Sequence, residues 1–265
     1  MHGEIVVIKY GGSSIGSGLA DVIQDVLKLQ QSGWKPVLVH GGGKDITSML
    51  SRLQIEGKFV NGLRLTDAPT LDVVEMVLRG KVNLQLVAEI QKQGGKAIGL
   101  SGVDGGMIQV RQKLPELGFV GDVKSVATEL LEVAVATQYI PVVAPIGMDA
   151  QGQRFNINAD EAAGAIAGAL QASRCIFLTD VAGVMRQSHT QSDGQPIVAD
   201  TLTRQEIESM IASGEIYGGM IPKMEACLYA LEAGAQLVQI VDGRKTGILA
   251  ETLIEQLPHG TKIVA

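Results

Sequence analysis

The first fifty residues use one device twice: a short β-branched run, a glycine turn and an amphipathic helix. Residues 4–9 (EIVVIK) form the kind of unbroken apolar run carried by a strand buried on both faces, and they lead into Gly11-Gly12. Leu19, Val22, Ile23, Val26 and Leu27 then fall at i, i+3, i+4, i+7 and i+8, one stripe of a helix that stops near Ser32-Gly33. Residues 36–40 (PVLVH) repeat the strand and run into Gly41-Gly42-Gly43, after which Ile46, Met49, Leu50 and Leu53 mark a second helical face. A chain written this way has to stack strands side by side and cover them with helices.

The rest of the sequence continues the alternation with one interruption. Asn61-Gly62 between short apolar runs predicts a hairpin. A long helix is predicted over 67–93, a strand over 96–100, hairpin material over 107–123, a helix over 127–139 and a strand over 141–146. An extended piece at 155–158, an Ala/Gly-rich helix at 161–171, a strand at 174–178, a helix at 224–233 and a strand at 236–241 complete the pattern. The expected fold class is α/β: a three-layer αβα sandwich with an open, mostly parallel central sheet and inserted antiparallel hairpins. A soft boundary divides a larger first lobe, residues 1–172, from a smaller second lobe, residues 173–265. Hydrophobic residues make up 46% of the chain and aromatic ones 3%, so Val, Ile, Leu and Ala must build the interior, as in many α/β enzymes.

Charge and cysteines exclude several classes. The net charge is −6 and the longest basic clusters are pairs, which argues against a nucleic-acid surface or a polybasic membrane patch. Cys175 and Cys227 form no CxxC pair, and the chain opens MHGEIVVIKYGG without a basic-then-apolar leader, so a reducing cytoplasm is expected. No apolar run reaches the ~18 residues of a membrane span.

In an open α/β sheet, ligands collect beyond the carboxyl ends of the strands. Gly11-Gly12, Gly41-Gly42-Gly43 and Gly218-Gly219 fall at such places. Each could be a tight turn, or a backbone that comes close to an oxyanion with its N–H groups aimed at it. A Walker A sequence is absent, as are G-x-G-x-x-G after a strand, H-R-D and D-F-G. Lys9 ends a buried strand beside two glycines, where it could be solvated or could hold phosphate oxygens. Lys223 stands at the head of a helix, where a cation opposes the dipole and an anionic ligand would relieve the conflict. His2, His40, His189 and His259 have no partner at a telling spacing, and no Asp/Glu/His cluster has metal-ligand spacing. Gly164-x-x-x-Gly168 predicts close helix packing.

K-Y-G-G at Lys9, V-H-G-G-G at Val39, N-G-L-R-L-T at Asn61, F-N-I-N-A-D at Phe155, L-T-D-V-A-G-V at Leu178 and G-G-M-I-P-K at Gly218 occur in this order along nearly the whole chain. Together they resemble the amino acid kinase family. The NGLR and NINAD pieces point, within it, to members that phosphorylate the side-chain carboxylate of N-acetyl-L-glutamate for arginine biosynthesis. The resemblance implies ATP as co-substrate, with Mg²⁺ held mainly by phosphates and water. A carboxylate with an ordinary pKa near ~4.3 is already ionised at neutral pH, so this chemistry needs no general base. The difficulty lies in bringing two anions together and stabilising charge on the moving phosphoryl group, a task for lysines and backbone N–H groups.

Carried over position by position, the resemblance makes Lys9 and Lys223 the residues on the transferring group, with Asp160 between them. Asp160 could alternatively cap its helix, although Asn158 is the better cap. Gly41 and Gly42 would give N–H groups to the reacting carboxylate, and Gly11 and Gly12 would cradle the phosphoryl. Arg64 would pair with a substrate carboxylate and Asn156 would hold the far end of the substrate; Arg64 could equally be a surface hairpin residue. Asp180, Val181, Gly183, Val184 and Met185 match a nucleotide loop, in which many members carry aspartate where Ala182 stands, while Ile216 and Tyr217 would flank adenine or ribose. A homodimer is expected from the resemblance and from apolar surplus at Val73, Val77 and Leu84. The first strand begins by Glu4, leaving no room for the helix that makes relatives arginine-sensitive hexamers, so insensitivity to arginine is expected. Carbamate kinases, kinases of a carrier-borne aminoadipate group, and a non-catalytic sensor on the same fold are the rivals.

Overall fold

The computed structural model describes residues 4–11, 18–60, 62–190 and 196–264. Gly12 and Asn61, singled out above, lie outside the described residues, as does His2. In chain order the first elements are β1 (Ile5–Tyr10), α1 (Leu19–Gln31), β2 (Lys35–His40), α2 (Gly43–Arg52), and the hairpin β3 (Phe59–Val60) and β4 (Leu63–Arg64). Then come α3 (Ala68–Glu75), a π-helical segment (Met76–Val82), α4 (Asn83–Lys92), β5 (Ala97–Ser101), β6 (Ile108–Gln112), β7 (Gly121–Val126) and α5 (Glu129–Ala136). The middle of the chain forms β8 (Ile140–Ala144), β9 (Ile146–Met148), β10 (Arg154–Asn156), α6 (Ala159–Ala169) and β11 (Arg174–Thr179). The last elements are β12 (Met185–Thr190), β13 (Pro196–Val198), β14 (Thr201–Thr203), α7 (Arg204–Ala212), α8 (Met220–Glu232), β15 (Val238–Asp242), α9 (Ile248–Leu253) and β16 (Thr261–Val264).

One eight-stranded sheet runs in the order β14-β16-β15-β11-β1-β2-β8-β5. Its neighbours are parallel except β15 and β16. Helices cover both faces, as expected. The four strands β10-β9-β6-β7 make a second, smaller sheet beside it, and β3-β4 and β12-β13 are separate hairpins.

Strand β1 shows why the site forms where it does. Successive side chains on a strand point to opposite faces. Val6, Ile8 and Tyr10 enter the core under α1 and the α3–α4 helix, whereas Val7 enters the core under α6 and α8. Alternation therefore sends Lys9 to the α6/α8 face, at the carboxyl end of the central strand, where its Cα is paired with Val39 on one side and Phe177 on the other.

Helices α6 and α8 pack with little between them, as the Gly164-x-x-x-Gly168 spacing predicts. A Cβ on Gly164 would stand 3.0 Å from the carbonyl oxygen of Ala226, a backbone atom that cannot yield. This close approach sets the two helix N-termini side by side. Asn158 caps α6 by accepting from the N–H groups of Asp160 and Glu161, at 2.8 and 3.4 Å. The Glu161 side chain does not reach back to complete a capping box; it takes Lys113 Nζ at 2.9 Å and the Val123 N–H at 3.1 Å, tying the β6–β7 hairpin to the start of α6.

The predicted helix over 67–93 exists but is not uniform. Asp67 caps it by accepting from the Thr70 N–H, and its middle turns widen into the π-helical segment before α4 resumes at Asn83. Val73 and Val77, expected to be surplus apolar surface, are buried in the chain's own core; Leu84 is exposed, and so is Met76. Beyond residue 184 the pattern predicted too few elements. The strands β12, β13, β14 and β16 and the helices α7 and α9 were not anticipated.

Candidate active site

Lys9, Asp160 and Lys223 meet at the carboxyl ends of β1 and β11. Lys9 Nζ lies 2.7 Å from Asp160 Oδ1, and Lys223 Nζ donates to Asp160 Oδ2 at 3.1 Å. All three side chains are largely withdrawn from water. Burial by itself raises the Asp160 carboxyl pKa, but the two adjacent ammoniums outweigh it and hold the carboxyl below its ordinary value. The conflict of Lys223 with the α8 dipole is answered here by the chain itself, since the Asp160 carboxylate lies at the heads of α6 and α8 together.

A cleft of about 760 Å³ opens beside this triad. Lys9, Asp160, Gly41 to Gly43, Arg64 and Asn156 line it. Arg64 is buried beneath the hairpin. Its Nη2 donates to Thr47 Oγ1 at 2.8 Å and to the Gly43 carbonyl at 3.0 Å, and its guanidinium lies 4.6 Å from the centre of the Phe59 ring. Its Nη1 is buried with no hydrogen-bond partner. A buried guanidinium nitrogen left unpaired costs free energy until an acceptor arrives. Asn156 donates from Nδ2 to Thr66 Oγ1 at 3.2 Å.

The glycines differ in what they contribute. Gly41 donates its N–H to the Tyr10 carbonyl at 2.9 Å, so the expected Gly41 donor is already engaged within the fold. Its lack of a side chain still matters, because β1 and β2 end in contact: a Cβ on Gly11 would stand 3.0 Å from the Gly41 nitrogen. Gly42 precedes α2, whose first-turn N–H groups have no carbonyl one turn earlier to bond. A Cβ on Gly42 would meet Leu78 Cδ2 at 2.7 Å, so the π-helical segment presses directly against this glycine.

The residues expected around a nucleotide are less uniform. Val184 is buried, its N–H donates to Thr261 Oγ1 at 2.8 Å and its carbonyl accepts from the Ala199 N–H. Ile216 is likewise buried in the core. Gly183 is packed against Val198 and Thr261, leaving it a turn residue. Asp180 and Met185 are exposed, Val181 is half-buried, and Tyr217 is 69% exposed; these remain on the surface after β11 and before α8.

Three participants were missed from sequence. Thr47 and Thr66 hold Arg64 and Asn156, and Asn83 lies behind the glycine loop. Thr66 stands inside the N-G-L-R-L-T motif, so a signal was present; Thr47 and Asn83 carry none. Among the described residues, no three His, Cys, Asp or Glu side chains converge as metal ligands, and Asp160 is spanned by two ammoniums.

Comparison with known proteins gives a consistent result. Residues 4–242 match the model of the amino acid kinase family. The chain is 43% identical over 273 residues to an acetylglutamate kinase of Symbiobacterium thermophilum, covering 99% of this chain and 92% of that one. It is 47% identical to an acetylglutamate kinase of Porphyra purpurea, covering 96% and 89%. Among solved structures, N-acetylglutamate synthase from Neisseria gonorrhoeae, complexed with coenzyme A and N-acetyl-glutamate, superposes with a TM-score of 0.84 at 24% identity; all of this chain matches 60% of that one. Giardia carbamate kinase gives 0.72 at 14% identity, with 100% and 99% covered, a likeness of fold.

Proposed function

The chain belongs to the amino acid kinase family, and from that premise we propose that it transfers the γ-phosphoryl group of ATP to the side-chain carboxylate of N-acetyl-L-glutamate, the acylphosphate-forming step of arginine biosynthesis. The observation that carries this reading is the pairing of Lys9 and Lys223 on Asp160, beside a cleft whose other side holds a buried guanidinium nitrogen without a partner. Two separated cationic centres suit a dicarboxylate, one end at the reacting phosphoryl and the other at Arg64.

The substrate's side-chain carboxylate is ionised and attacks the γ-phosphorus directly. A C–O–P bond forms as the bond to the β,γ-bridging oxygen breaks, and ADP leaves with that electron pair. Lys9 and Lys223 neutralise the equatorial oxygens, and Asp160 keeps both ammoniums aimed at one point without repelling each other apart. The Gly42 N–H and the first turn of α2 receive the reacting carboxylate. Arg64 takes the α-carboxylate as a fork, and Asn156 meets the N-acyl end. Mg²⁺ bound to the nucleotide's phosphates would supply further charge neutralisation there.

Residues 1–172 form the amino-acid lobe and 173–265 the nucleotide lobe, with Asp180, Val181, Met185 and Tyr217 at the nucleotide. Met76 and Leu84, eight positions apart on the long helix and each more than half exposed, support a homodimer through that helix. Two buried free cysteines suit the reducing cytoplasm, and none of the described helices is long and apolar enough to cross a membrane.

The test is to trap the product with hydroxylamine, which turns an acylphosphate into a hydroxamate. Hydroxamate formed from N-acetyl-L-glutamate, in preference to glutamate, aspartate or carbamate, is the expected result. No hydroxamate from any of them overturns the reading.

A further inference from the structure

We infer that His40 is a positioning residue: its imidazole holds the Gly41 carbonyl on the far side of the sheet and so aims the Gly42 N–H into the cleft. The inference rests on the phosphoryl-transfer reading of that cleft.

The geometry follows from the strand. Alternation along β2 puts Val37 and Val39 on the α6/α8 face with Lys9, and sends His40 to the opposite face under the long helix. There His40 is wholly buried, with Nδ1 2.9 Å from the carbonyl oxygen of the next residue, Gly41. A trans peptide places its C=O and the following N–H on opposite sides, and the described chain has no cis peptide. Drawing the Gly41 oxygen toward His40 therefore turns the Gly42 N–H toward the Lys9 face.

The tautomer is fixed by its neighbours. His40 Nε2 lies 3.1 Å from Asn83 Nδ2. That amide nitrogen also faces the carbonyls of Val142 at 2.8 Å and Leu100 at 3.3 Å, while Asn83 Oδ1 faces the Arg79 guanidinium at 3.1 Å. Two carbonyls on one end and a guanidinium on the other leave one orientation for the amide, with the NH₂ toward His40. The Gly41 carbonyl can only accept, so Nδ1 carries the proton and donates to it, which leaves Nε2 bare toward the Asn83 NH₂. Burial lowers the imidazole pKa to about 4, with the nearby Arg79 acting in the same direction, so the ring is neutral near pH 7. Asn83 is the first residue after the π-helical segment, the same segment that sets Leu78 against Gly42. The wider turns thus support the glycine loop at two points, sterically through Leu78 and by hydrogen bond through Asn83 and His40.

The experiment uses the full chain and two kinds of readout. In ¹⁵N NMR of the wild type at neutral pH, His40 should show a protonated Nδ1 and a bare Nε2; the reverse tautomer overturns the inference whatever the activity. In the hydroxamate assay, His40→Asn keeps an amide donor near the Nδ1 position, whereas His40→Gln places its amide near Nε2. His40→Gln should lower kcat by about 100-fold, the range for losing one oxyanion donor, with KM for ATP unchanged, and His40→Asn should recover most of that loss at a similar thermal midpoint. Wild-type kcat in His40→Gln, or equal losses in both variants that track their midpoints, refutes the positioning role. A wild type that yields no hydroxamate refutes the reaction instead, and the tautomer measurement still decides this inference.

Discussion

Lys9 on the central strand and Lys223 in the first turn of α8 hold the two oxygens of a single carboxylate, at 2.7 and 3.1 Å. Each ammonium has positive charge close by and is kept in place only because Asp160 lies between them. The arrangement keeps two ammoniums and one carboxylate together in a largely buried place.

Removing the organiser separates that electrostatic role from simple packing. Asp160→Asn should lower kcat by about 100-fold or more, as loss of aligned charge does. Its stability relative to wild type should also depend on pH with a definite sign. A carboxyl held more acidic in the fold than in the unfolded chain contributes stability above its ordinary pKa, and that contribution is lost as pH falls through the native value. The wild-type advantage in urea midpoint should therefore be full near pH 7 and shrink below about pH 3.8.

Lys223→Ala tests the transition-state role. It should reduce kcat by about 100-fold while nucleotide Kd stays within about threefold, the signature of an interaction made chiefly in the transition state. An unchanged kcat removes Lys223 from the mechanism.

Arg64→Lys should not behave as a conservative change. The lysine keeps the charge but loses the fork, the stack over Phe59 and the two bonds to Thr47 and Gly43. KM for N-acetyl-L-glutamate should rise by about 10- to 100-fold, equivalent to about 1.4–2.7 kcal/mol, with kcat little altered. Steady-state kinetics at saturating ATP decides it.

Gly42→Ala should nearly abolish activity, because the new methyl meets Leu78 Cδ2. Shortening Leu78 opens that space. The double variant Gly42→Ala/Leu78→Ala should recover much of kcat/KM, although truncating a buried leucine costs about 2–5 kcal/mol of stability. Failure of the double variant to exceed Gly42→Ala in activity, while still folded, would falsify the steric account.

Gln138 adopts φ 63° just past the end of α5, exposed, in the left-handed region that suits glycine. Gln138→Gly should raise stability by about 1 kcal/mol, since a side chain in that region costs about 1–2 kcal/mol and glycine returns part of the gain through its freer unfolded chain. Thermal unfolding of the two chains is the measurement.

Legibility from sequence followed how local each signal was. Residues 4–9 and 36–40 announce themselves as strands because both faces of β1 and β2 are buried, and the glycines after them must be glycines for the strand ends to touch. Lys9, Asp160 and Lys223 are joined by the resemblance alone and not by any local signal, since their meeting depends on β1 lying next to β11 and on α6 packing tightly on α8. Gly41 was assigned a free N–H because nothing local reveals that Tyr10 accepts from it. Val184 and Ile216 were placed at the nucleotide by motif, yet apolar residues in a motif serve the core as readily as the ligand. The Thr203-x-x-Glu206 capping box of α7 carries a sequence signal at the start of its helix. The strands β14 and β16 are three and four residues long and carry too little periodicity to be seen. His40 and Asn83 stand 43 positions apart, and no spacing rule connects a strand end to a widened helical turn.

The central sheet has a consequence for how such a chain can change over generations. Strand β1 is hydrogen-bonded to β2 on one side and to β11 on the other, so residues 1–172 and 173–265 share one ladder and are not joined by a linker. A gene fragment ending at residue 172 would leave β1 as an exposed apolar edge, a template for aggregation, and would encode half of a cationic centre. Neither half of the chain is a unit that recombination could lend to another protein. New functions can be added by lengthening loops or extending the ends, whereas an exchange of either half would have to rebuild the seam along β1 and β11 residue by residue.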